Sequence, residues 1–79
     1  MMKLDEALKW VADIFEEPEE KIRPQTNRDD IKGWDSLGTL TLMARLDEEF
    51  GIILPEEKLT EMNSVQDILN ILKDNNCLE

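Results

Sequence analysis

Ser36 is the residue whose type and setting most suggest chemistry. It sits in the run Gly33-Trp34-Asp35-Ser36-Leu37-Gly38, between an acid and a leucine. A serine nucleophile needs a base to take its proton, most often histidine. The chain has no histidine, and no Ser-x-x-Lys pair begins at residue 36. Self-contained hydrolase chemistry is therefore all but excluded. Asp29, Asp30 and Asp35 are hard oxygen donors, but their spacing does not match a calcium loop, and no metal site is expected. Two readings of Ser36 remain. One is a cap on the helix beginning there, accepting a backbone N–H and worth ~1 kcal/mol. The other is an attachment point, because a helix N-terminus offers unpaired N–H groups and partial positive charge that tolerate a phosphate ester.

The elements that must position this serine are helical. In KLDEALKWVADIFEE, Leu4, Leu8, Val11 and Phe15 recur at helical spacing, with Ala7, Ala12 and Ile14 widening the stripe. Asp5 and Glu6 suit the first turn, and Pro18 makes continuation unfavourable. From about Glu17 to Asp35 the periodicity disappears, leaving a long connection with Ile22 and Ile31 as its anchors and room for a short helical turn near Thr26–Asp30. Connections of this length are often functional. A second helix is expected from Ser36 or Leu37 to Phe50, stopped by Gly51. Its residues Leu37, Leu40, Leu42, Met43, Ala44, Leu46 and Phe50 cover more than half of a helical wheel, which predicts a central helix packed against several neighbours. Only Gly38, Thr41, Arg45, Glu48 and Glu49 form a polar stripe. Pro55 suits the first position of a short helix, with Leu59 and Met62 pointing inward. Ser64 and Asp67 form a weak capping box for the last helix, whose buried face is Val65, Ile68, Leu69 and Leu72. The expected fold is all-α: a small four-helix bundle, three long helices plus one short, with a long loop between the first and second.

The 79 residues suit a single domain spanning 1–79. Nineteen acids against nine bases give a net charge of −10, which repels nucleic acid and anionic membrane surfaces and attracts partners with basic patches. At 41% hydrophobic residues the chain is not a disordered acidic tail. Cys77 has no partner for a disulfide, which fits a cytoplasmic location. The start of the chain carries no uninterrupted apolar run, so neither a signal peptide nor membrane insertion is expected. Leu78-Glu79 reads equally well as native sequence or as a cloning remnant.

The segment 33–72 resembles the acyl carrier proteins. The resemblance rests on an ordered set: Asp35-Ser36-Leu37 opening a helix, Glu48-Glu49-Phe50-Gly51 closing it, then Leu54-Pro55-Glu56-Glu57 and Ser64-Val65. Residues 1–32 match only in pattern and length. The resemblance implies a stand-alone carrier, not an enzyme, with a 4′-phosphopantetheine arm on Ser36. The arm would be donated by coenzyme A through a separate magnesium-dependent phosphopantetheinyl transferase (holo-acyl-carrier-protein synthase). The missing base is then explained, since the catalytic groups lie in the transferase. Asp35 would dock that enzyme and Leu37 would give it an apolar contact. The arm's own thiol would hold the cargo, leaving Cys77 an incidental tail residue.

Under the same resemblance, Leu42, Met43, Leu46, Phe50, Leu59, Met62 and Ile68 would part to shelter an acyl chain, with the methionines as the yielding wall. Trp34, Gly38, Thr41, Arg45, Asp47 and Glu48 would form the partner-binding face, meeting acyl-loading and acyl-transfer enzymes with basic patches. That face departs from the family pattern. Gly38 and Thr41 stand where carboxylates are common, Arg45 adds a positive charge, and Trp34 is unusual beside the Asp-Ser pair. A monomer serving a specialised lipid or polyketide pathway is the expectation. The alternatives are an aminoacyl or peptidyl carrier with the same arm, or a helical interaction module that is never modified.

Overall fold

A computed structural model describes residues 1–79. The chain runs through α1 (Leu4–Phe15), α2 (Ser36–Phe50), α3 (Glu56–Thr60) and α4 (Val65–Asp74), with single 3₁₀ turns at Glu19–Lys21 and Arg28–Asp30. There are no strands, only isolated bridges between Met2 and Leu78 and between Asn27 and Ser64. This is the expected all-α bundle. No helix is long and apolar enough to cross a membrane.

Each helix boundary has a local cause. At the start of α1 the Lys3 N–H donates to the Glu6 carboxylate (3.1 Å). The helix ends where Glu16 enters the left-handed region (φ 55°), two residues before Pro18. At the end of α2, Gly51 takes φ 67°, and its N–H returns to the Asp47 carbonyl. A side chain at Gly51 would meet open space, so glycine is needed there for its backbone conformation alone. Pro55 lies one residue outside α3, as its N-cap, where its locked φ of −66° is equally suitable. The Asp67 carboxylate accepts the N–H groups of Asn63 (2.8 Å) and Ser64 (3.3 Å), fastening the start of α4.

The long connection is a structured strap. Ile22 and Ile31 are buried as expected, and its backbone pairs with the α3–α4 junction. Arg28 N–H donates to Asn63 O, while Val65 and Gln66, the first residues of α4, donate to Thr26 O and Pro24 O. Helix N-terminal donors that would otherwise lack partners are thus satisfied by the strap. The chain ends are also tied: Met2 N–H donates to Cys77 O, and Glu79 N–H to Met2 O. Cys77 and Leu78 are half-buried against the core, so this tail is a packed element and not an idle one.

The core comprises 18 buried apolar residues drawn from every part of the chain. Two expectations fail here. Leu4 is exposed at the first turn of α1. More consequentially, α2 is not surrounded: Leu37 is 71% and Leu40 52% exposed, Ala44 is exposed, and only Gly38, Thr39, Leu42 and Leu46 are buried. The wheel counts apolar side chains, whereas burial requires a neighbouring element, and nothing is laid over Leu37 and Leu40.

Candidate functional site

The start of α2 is built on two close backbone approaches. A Cβ on Gly33 would overlap the Phe15 carbonyl, and one on Gly38 would overlap the Gly33 carbonyl and touch the Phe15 ring. The end of α1, the strap and the first turn of α2 therefore meet with no side chain between them. Trp34 fills the space beside this junction, 4% exposed and stacked on Phe15 with centroids 4.9 Å apart and planes 15° apart.

Asp35, not Ser36, caps α2. Its carboxylate accepts the Gly38 N–H at 2.9 Å, and its carbonyl accepts both the N–H and the hydroxyl of Thr39, each at 2.9 Å. The capping reading of Ser36 is overturned, because the role is already filled one residue earlier. Ser36 is the first residue of the helix, exposed, with a hydroxyl that makes no hydrogen bond within the protein. The chain has no histidine to activate it. The site offers a free hydroxyl at the positive end of a four-turn helix, suited to carrying an anionic ester and unsuited to acting as a nucleophile unaided.

Beside Ser36 lies a cleft of about 150 Å³ between α2, α3 and the strap. Thr39, Leu40 and Met43 line it from α2, Glu56, Leu59 and Thr60 from α3, and Arg28 from the strap. Of the seven residues expected to shelter a chain, Met43 and Leu59 reach this cleft. Leu42, Leu46, Met62 and Ile68 are closed into the core, and Phe50 packs edge-on against Trp10 (5.4 Å) near the far end of α2. Arg28, Thr39, Leu40, Glu56 and Thr60 were not foreseen. Their only sequence signal is position, one helical turn along α2 or on elements that cross it.

The expected partner face also divides. Trp34 and Gly38 are buried and present nothing to a partner; Gly38 is glycine because a backbone lies against it, not because a carboxylate has been lost. Thr41 is half-buried and donates to the Leu37 carbonyl. Arg45 is folded back onto the surface, half-buried, pairing with Asp13 (2.7 Å) and Glu49 (2.6 Å) while lying over the Trp10 ring. Asp47 and Glu48 are the fully open members. The hydrogen bond from Arg45 holds the Glu49 carboxyl below its ordinary range against the opposing effect of desolvation, and a second bond from Trp10 Nε1 (3.2 Å) assists. Its partner's guanidinium is raised, first by the Glu49 hydrogen bond.

Residues 6–72 match a family model described as "Phosphopantetheine attachment site". The chain is 33% identical over 64 residues to an "Acyl carrier protein" of Thermosynechococcus vestitus (strain NIES-2133 / IAM M-273 / BP-1), covering 81% of this chain and 79% of that protein. It is 31% identical over 78 residues to the "Acyl carrier protein" of two Rickettsia bellii strains, RML369-C and OSU 85-389, covering 94% of this chain and 91% and 96% of theirs. With a helical bundle, a structured strap and an unassisted hydroxyl at a helix start, these matches place the chain in the acyl carrier protein family, whose members are carriers and not enzymes and whose covalent cofactor is 4′-phosphopantetheine.

Proposed function

We propose that Ser36 bears the phosphopantetheine arm and that the protein ferries acyl intermediates as thioesters on it, as a monomeric cytoplasmic shuttle. The observation that carries this reading is the division of labour at the start of α2: Asp35 takes the capping role, so the Ser36 hydroxyl is left exposed and unbonded. The site fits the group. An ester phosphate on Ser36 would sit where the helix dipole favours negative charge, with the adjoining cleft open to the rest of the arm. In the transfer, Ser36 Oγ bonds to the pantetheine-side phosphorus of coenzyme A, the bond to adenosine 3′,5′-bisphosphate breaks, and the hydroxyl proton goes to a base of the transferase. This chain supplies the hydroxyl, the helix end and a docking surface. Asp35 and the exposed Leu37 flank the hydroxyl and suit that surface.

Arg45 removes acidity from the middle of α2 by engaging Asp13 and Glu49, leaving Asp47 and Glu48 as its open charges. That favours service to enzymes of a dedicated pathway over general fatty-acid synthesis. Fatty-acid synthesis enzymes should acylate a Thr41→Glu/Arg45→Ala variant faster than the wild type; equal rates would remove this support. For the arm itself, intact mass after incubation with coenzyme A and a broad-specificity transferase should show one added phosphopantetheine on the wild type and none on Ser36→Ala, with helicity unchanged. Modification of the alanine variant would refute the assignment.

A further inference from the structure

Of the nine basic residues only Arg28 and Arg45 are drawn partly into the protein. Arg45 has two carboxylates. Arg28 has none, although the chain contains nineteen acids. Its guanidinium lies 5.7 Å from the centre of the Trp34 ring and spends one N–H on the Thr60 carbonyl, at a long 3.4 Å. Glu56 lines the same cleft without pairing to it. Beneath the guanidinium, the Trp34 indole N–H is buried with no acceptor. A guanidinium has five donors in a planar fork that matches phosphate and carboxylate oxygens. A half-buried guanidinium with no counter-ion at the mouth of a cleft is free to take an anion from outside.

We propose that Arg28 is the anion-binding residue of the cleft beside Ser36. Resting on the attachment reading above, it receives either the phosphodiester that modification places on Ser36 or a carboxylate on a short cargo folded back into the cleft. The volume of about 150 Å³ corresponds to roughly five water-sized groups, which suits a short cargo over a long chain.

The test tracks the Nε–H resonances of Arg28 and Arg45 in isotope-labelled protein through four forms: unmodified, arm-bearing, malonyl-loaded and butyryl-loaded. Intact mass verifies each form. A shift of Arg28 on addition of the arm identifies the phosphodiester as its partner; a shift confined to the malonyl form identifies the cargo carboxylate. Arg45 should stay put in all four. The responding form should melt roughly 4–8 °C above the unmodified protein. That gain should vanish in Arg28→Gln and survive in part in Arg28→Lys. An unmoved Arg28 resonance in mass-verified forms, a response first seen with butyryl, or an undiminished gain in Arg28→Gln overturns this inference alone. A protein that gains no mass overturns the attachment reading and this inference with it.

Discussion

The two ends of α2 are built from the same three parts. Near its C-terminus Trp10 meets Phe50 edge-on and Arg45 lies over the indole; near its N-terminus Trp34 stacks on Phe15 and Arg28 lies over the indole. They differ in what is left over. In the first cluster the guanidinium and the indole both have carboxylate acceptors: Arg45 pairs with Asp13 and Glu49, and the Trp10 N–H reaches Glu49. In the second, the guanidinium has a single weak bond and the Trp34 N–H has nothing. The satisfied cluster clamps α1 to α2. The unsatisfied one borders the exposed hydroxyl and the cleft, where the arm is proposed to be received. The contrast shows that a motif's composition says little until its polar atoms are accounted for.

Filling the tight junction under the open cluster should have the largest effect on stability. Gly38→Ala forces a Cβ into the Gly33 carbonyl, and a cost of about 1–3 kcal/mol or more is expected, read as a fall in the urea midpoint. Thr41→Ala, one turn further along the same helix, should change the midpoint far less.

The indoles can be compared by the same substitution at each. Trp10→Phe and Trp34→Phe remove similar ring area, but only the first breaks a hydrogen bond, the one from the indole N–H to Glu49. Trp10→Phe should therefore be the more destabilising by about 1 kcal/mol. Equal losses would mean that the pairing census does not distinguish the clusters.

The smallest effect is electrostatic and depends on pH. Because the fold depresses the Glu49 pKa, the unfolded chain takes up the proton first as pH falls. The stabilisation is present above the ordinary carboxylate range and is lost as pH drops through the depressed folded value. Arg45→Gln removes the main cause of the shift, so in acid titrations monitored by circular dichroism the variant should lose helicity at a higher pH than the wild type. Both pairs are partly solvent-exposed, which keeps their combined worth at neutral pH to about 1 kcal/mol.

Much of the architecture was legible because it is encoded locally. The apolar stripe of α1, the Gly51 stop, the Ser64–Asp67 cap and the anchors Ile22 and Ile31 all arise from short-range spacing. Ser36 stood out for the same reason, by its neighbours in sequence. The features that stayed hidden depend on contacts between distant segments. Trp34 read as a surface feature because nothing nearby announces Phe15 as its stacking partner. Gly38 read as a missing carboxylate because the carbonyl pressed against it belongs to a loop whose path spacing does not encode. Leu37 and Leu40 read as core because periodicity reports apolar character and not which elements arrive to cover it.

The chain has two serines, both at helix starts, and they pose the central question cleanly. Ser64 is the half-buried N-cap of α4; Ser36 is the exposed first residue of α2, relieved of capping by Asp35. Fragmentation mass spectrometry of the wild-type protein after loading by a transferase locates the added group directly. Phosphopantetheine found wholly on the peptide containing Ser36 is the predicted result. The group on Ser64, on both serines, or absent from a protein treated alongside a carrier that does load would contradict the account.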